Sequence, residues 1–115
     1  KKMRVDGKDI VAIVNHAEIM KKIGTKQKEL AKQCIKFCEK NLPSSDFRRI
    51  EEARQYYFKL DDALHSLNLK LEKKEEIGCI ESLDILSLTY EIGECIKKLE
   101  DLCFHLQKLA NSIGR

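Results

Sequence analysis

Four cysteines of this chain have the residue type and spacing to do chemistry. Cys34 and Cys38 stand four residues apart, so on a helix their thiols share one face. Two such thiolates would hold zinc if a second helix supplied Cys95 or Cys103. Cys34, Cys38 and Cys95 all fall, however, on rows of apolar residues at helical spacing, where free cysteine packs as a small apolar side chain. Core packing is the expectation, with no metal site and no cofactor. The total of five cysteines is odd and forms no recognisable disulfide framework. That points to reduced thiols and an intracellular compartment, cytoplasmic or nuclear.

Other chemistry is thinly supported. The pairs Asp61–Asp62 and Glu51–Glu52 are adjacent, so they diverge on a helix and form no convergent acid–base couple. There is no Gly-rich phosphate loop, Gly-x-Ser-x-Gly or His-Glu-x-x-His. His105 precedes Lys108 by three residues, a spacing found in phosphotransfer bundles. Leu109 then stands where such bundles have glycine, and its bulk would obstruct an approaching partner. His16 and His65 lie beside the apolar rows and read as boundary residues. No catalytic residues are assigned, and the chain is not expected to be an enzyme.

Charge is unevenly distributed. Residues 1–42 carry a net +6 and residues 43–115 a net −3. Lys22, Lys26, Lys32, Lys36 and Lys40 fall within about a third of a helix circumference, opposite the apolar row. This basic face would suit nucleic acid or another acidic surface. The segment carries no arginine beyond Arg4 of the tail, and no aromatic is interleaved with the lysines, although stacking and bidentate phosphate contacts favour those residues.

The elements that must position these residues are long helices. A chain of 115 residues with one proline and five glycines has few turn signals, which excludes a sandwich or barrel. Hydrophobic residues at 43% and charged residues at 36% suit solvated amphipathic helices. The longest apolar run, from Ile10 to Val14, is far short of the ~20 residues that span a membrane. The first residues show no secretory leader, and a start at lysine leaves open an origin in a longer chain. Three segments keep 3-4 spacing. In residues 8–41 the row is Ile10, Ile13, Ala17, Met20, Ala31, Cys34 and Cys38, with Gly24 and Gln27 on the remaining rungs. A second row, Ile23, Leu30 and Phe37, is read as widening the core stripe. Asp6 or Gly7 would cap its start. In residues 46–76 the row is Ile50, Ala53, Tyr57, Leu60, Leu64, Leu67 and Leu71, capped by Ser45 or Asp46. It runs through the charged stretch to Glu76 and stops at Gly78. In residues 82–113 the row runs from Ile85 through Leu88, Ile92, Cys95, Leu99, Leu102, Leu106 and Leu109 to Ile113, with Ser82 as the cap and Gly114 as the stop. Segments of roughly 30 residues are roughly 45 Å long. Short connections predict one all-α domain, an antiparallel three-helix bundle with coiled-coil-like packing.

The third segment carries a second apolar row. Leu83, Leu86, Tyr90 and Gly93 recur at helical spacing, and Phe104 continues the row on the side away from Ile85–Ile113. Two neighbours in a three-helix bundle cannot cover both sides. The outer row must meet a loop, another copy or a partner. Gly93 would let another backbone approach closely. Phe47, Phe58 and Leu69 form a weaker counterpart on the second segment. The expected function is a non-catalytic protein–protein interaction or scaffolding domain, self-associating or binding a protein partner. The alternative is binding of nucleic acid or an acidic surface through the basic face.

Overall fold

The computed structural model describes residues 7–73 and 77–113. Its elements are α1 (Gly7–Asn41), a 3-10 turn at Ser44–Asp46, α2 (Phe47–Glu72) and α3 (Cys79–Ile113). The chain is all-helical, and each helix packs against the other two.

The first break is made by Pro43, whose φ of −69° is fixed by its ring and which cannot continue the ladder of backbone hydrogen bonds. Leu42 N–H still donates to Cys38 O, and Asp46 N–H closes onto Pro43 O. Asp46 occupies the cap position of α2, but its side chain makes no capping hydrogen bond. The second break differs from the reading above. Helix α2 ends at Glu72, with Lys73 N–H donating to Lys70 O, so the helix stops earlier than Glu76. Gly78 does not terminate α2; its carbonyl accepts the Ser82 N–H and opens α3. Ser82 is therefore not a cap. It lies one turn inside α3, buried, and its hydroxyl donates to Cys79 O at 2.7 Å. A serine hydroxyl that closes on the preceding turn is as content inside a helix as at its start. The cap at Asp6, residues 74–76, the side chain of Ile113 and the stop at Gly114 lie outside the described residues.

Helix direction follows from the cross-helix pairs. Lys21 meets Asn68, Lys28 meets Asp61 and Glu39 meets Arg54, so α1 and α2 run antiparallel. Cys34 reaches Cys103, and Met20 lies beside Gly93, so α1 and α3 run parallel. This is an up-down-up bundle of about 57 by 28 by 17 Å. Its centre is the expected set: Leu60, Leu67, Ile85, Ile92, Leu99 and Leu106 are fully buried. Each such side chain contributes about 1.5–3 kcal/mol of transfer free energy. Helix α1 contributes small residues to that core, namely Ala17, Gly24, Ala31, Cys34 and Cys38, with Ile35 the one large aliphatic. At Gly24 a Cβ would stand 2.9 Å from Leu64 Cδ2 and 3.3 Å from Ile92 Cγ2, so the three helices converge where α1 has no side chain. Among the described residues, no helix is long and apolar enough to cross a membrane.

Candidate interaction face

Helix α1 has small residues inside and large ones outside. Ile19, Ile23, Leu30 and Phe37 are all exposed. They share one row at 3-4 spacing, with Lys26 and Gln33 on the intermediate rungs. This corrects the reading of Ile23, Leu30 and Phe37 as core. The row borders the apolar stripe, but it points past α3 instead of beneath it.

Helix α3 presents a matching row. Leu83, Leu86, Tyr90 and Phe104 are exposed, Tyr90 by 73% and Phe104 by 61%. At 100° per residue, Leu86 and Phe104 lie about a quarter-turn from Cys103, which touches α1, on the side away from the core row. Applied to α1, the same construction places Ile19, Ile23, Leu30 and Phe37 on the same side of the bundle. The two rows are therefore one apolar face along the α1–α3 seam. At its lower half they border one space: Leu30 and Phe37 of α1 and Phe104 of α3 line a single groove of about 560 Å³. Cys34 and Cys103 line it as well, and Gln27, Gln33, Gln107 and Glu100 supply its polar part.

Gly93 does not belong to the outer edge of this row. It is half-buried, and a Cβ there would lie 3.6 Å from Met20 Cε. Its missing side chain accommodates Met20 of the same chain, an ordinary van der Waals contact, and makes no opening for a foreign backbone. The outer residues of α2 differ again. Phe47, Phe58 and Leu69 are exposed but stand eleven residues apart, about 16 Å along the axis, too far to form a patch. Phe47 lies 5.4 Å from the Arg54 guanidinium, and Phe58 rests edge-on against Tyr57.

The side chains that close the seam beneath the apolar face are uncharged. Ser82 and Thr89 are buried on the α1 side of α3, and each satisfies its hydroxyl on its own helix, at Cys79 O and Leu86 O. Cys34 donates toward Cys103 O at 3.7 Å. Hydrogen bonding to the Cys103 thiol, together with burial, holds the Cys34 thiol protonated well above its ordinary range. The same pairing lowers Cys103. Burial pushes Cys38 up to about 12 and also raises Cys95. These are packed thiols, and Cys79 is the exposed one. Among the described residues, no three His, Cys, Asp or Glu side chains converge as a metal site.

All of the lysines at positions 22, 26, 32, 36 and 40 are exposed, and none pairs with a carboxylate among the described residues. Contact with α2 is made by other cations, Lys28 to Asp61 and Lys21 to Asn68. The fold divides the basic face. Lys32 and Lys36 line a groove with Arg54, Tyr57 and Phe58 of α2, so α2 supplies aromatics and an arginine beside these two lysines. Lys22, Lys26 and Lys40 lie toward the edge of the α1–α3 face. His16, His65 and His105 are all exposed, so none is a boundary residue. His105 packs edge-on against Phe104, and Lys108 Nζ sits 5.5 Å over the same ring. Lys108 borders the apolar face, whereas His105 also lines a groove with Arg49, Glu52 and Leu102 between α2 and α3.

Sequence reasoning found the α3 half of this face and missed the α1 half. The signal was available: residues 19, 23, 26, 30, 33 and 37 keep helical spacing, and their large side chains contrast with the small row beside them. No protein-family model matches the chain, and no curated protein or solved structure does either.

Proposed function

We propose that the chain is a non-catalytic helical interaction domain that binds protein through the α1–α3 face. One observation carries this reading. Eight large apolar side chains on two parallel helices stand exposed on one side of a bundle whose core is complete without them. Scattered exposed apolar residues need no explanation, but clusters of them on adjoining sides of two neighbouring helices, Leu83, Leu86 and Tyr90 at one end and Leu30, Phe37 and Phe104 at the other, do. Covering half-exposed leucine, isoleucine and phenylalanine side chains is worth on the order of 1 kcal/mol each before the cost of association. A partner helix laid along the seam would complete a four-helix arrangement, the helix-in-groove mode of recognition. An intracellular setting, cytoplasmic or nuclear, goes with this reading, because buried free thiols are compatible with a reducing compartment.

The test is a photo-cross-linking residue placed at Phe104, and separately at Phe58, in cells that make the protein. The reading expects an adduct from position 104 and none from 58. An absence of adducts at 104 would count against it.

A second reading draws on the groove where Lys32, Lys36 and Arg54 surround Phe58. Cations beside an exposed aromatic suit nucleic acid or an acidic surface. Against it, Arg54 is already engaged by Glu39 and Glu51. Titration with a single-stranded oligonucleotide decides: affinity that falls steeply with salt and with Lys32→Gln plus Lys36→Gln favours this reading.

A further inference from the structure

We infer that the occupant of the α1–α3 face is a second copy of the chain, packed so that α1 of each protomer lies over α3 of the other. This rests on the face being the binding surface and adds what covers it.

The first argument is register. Met20 lies beside Gly93, Gly24 beside Ile92, and Cys34 beside Cys103, so each α1 residue is level with the α3 residue about 70 positions later. A twofold axis parallel to the helices preserves height and sets α1 opposite the other copy's α3. Ile19 and Ile23 then stand level with the partner's Tyr90, and Leu30 and Phe37 level with the partner's Phe104. The apolar match is made at these two levels; between them the partner's exposed Lys97 and Glu100 stand level with Gln27 and Leu30.

Charge is the second argument. Over its residues α1 carries a net +4 and α3 a net −3. Lys22 and Lys26 border the face on α1; Glu94 and Asp101 border it on α3. The arrangement places these edges against each other, with Lys22 and Lys26 nearest in height to the partner's Glu94, and Asp101 about one turn farther along. The other face-to-face twofold, with its axis across the helices, would set α1 on α1 and lysine on lysine. Electrostatics therefore selects one of the two orientations.

Area is the third. Eight large side chains, each about half exposed, present on the order of 100 Å² apiece. The sum is about 800 Å² per copy, which is the contribution of one partner to a standard interface.

Sedimentation equilibrium of the full chain over a micromolar range is the test. The wild type is expected to show twice the chain mass. Leu30→Glu is expected to weaken association at least about a hundredfold with helical circular dichroism unchanged. Lys22→Glu with Lys26→Glu, and separately Glu94→Lys with Asp101→Lys, should each weaken self-association about tenfold or more. A mixture of these two variants should regain a dimer, because both contacts then pair opposite charges. Three results would overturn the inference: a wild type that stays monomeric, a Leu30→Glu variant that stays dimeric, or a mixture that regains nothing. If the wild type is monomeric while the cross-linker at Phe104 still captures another protein, only the identity of the occupant is wrong. If that cross-linker captures nothing, the binding face itself is wrong.

Discussion

Helix α1 has two seams, and they are finished differently. Toward α2 the rim is polar: Lys28 pairs with Asp61 at 2.9 Å, Lys21 donates to Asn68, and Arg54 bridges Glu39 and Glu51. Toward α3, among the described residues, no ion pair crosses the seam, and the rim is Ile19, Ile23, Leu30 and Phe37 facing Leu86, Tyr90 and Phe104. Exposed ion pairs add little stability, generally under ~1 kcal/mol. What they provide is a water-compatible edge. The contrast teaches that the bundle is closed on one side of α1 and left open on the other. The open side is the one at which we propose a partner.

The sharpest way to break this comparison is to truncate a leucine on each side of the bundle. Leu99 is fully buried, and Leu99→Ala should cost about 2–5 kcal/mol in urea unfolding. Leu30→Ala, on the open face, should cost no more than about 0.5 kcal/mol when measured on the monomer. Similar losses at both positions would mean that the open face is part of the core.

The two glycines of the α1–α3 region sharpen it further. At Gly24, where a Cβ would meet Leu64 and Ile92, valine should overpack the junction and cost about 1–3 kcal/mol. At Gly93 a methyl group meets only Met20 Cε at ordinary distance. Gly93→Ala should therefore raise stability by about 0.5–1 kcal/mol through helix propensity alone. A loss at Gly93 would show that the seam is tighter than its contacts indicate.

A smaller effect depends on pH. Cys38 is raised by burial from an ordinary value of about 9 to about 12. The fold thus prefers its neutral thiol, and the unfolded chain ionises first. Below pH 9 the two states bind the same proton and nothing changes. Between pH 9 and 12 the contribution is lost, by no more than about 1.4 kcal/mol per unit. Melting temperature followed from pH 8 to 10 should fall more for the wild type than for Cys38→Ala. Parallel curves would remove the thiol from the account.

Much of this was legible in the amino-acid sequence, and the misses share a cause. Most of the rows of α2 and α3 are buried as their spacing requires, from Ile50 to Leu71 and from Ile85 to Leu106, with Tyr57, Leu88 and Leu102 half-buried. The outer row of α3 was legible because it stands opposite the core row. The outer row of α1 lies beside its core row, and spacing alone does not say on which side the third helix sits. Ile23, Leu30 and Phe37 thus read as a wider core until the position of α3 is known. Gly93 misled for the same reason, since a missing side chain does not reveal which neighbour uses the space. Ser82 and Gly78 misled because a hydroxyl and a glycine serve equally well at a helix end and just inside one.

The central claim is that the α1–α3 face binds and the α2 surface does not. Two double variants test it with equal charge added to each side: Leu30→Glu with Phe104→Glu, and Phe47→Glu with Phe58→Glu. Sedimentation equilibrium and cross-linked capture, measured with thermal melting of the same samples, give the comparison. The account predicts that both variants melt as the wild type monomer does, that the first loses its association, and that the second keeps it. Equal retention or equal loss of association in the two would contradict it.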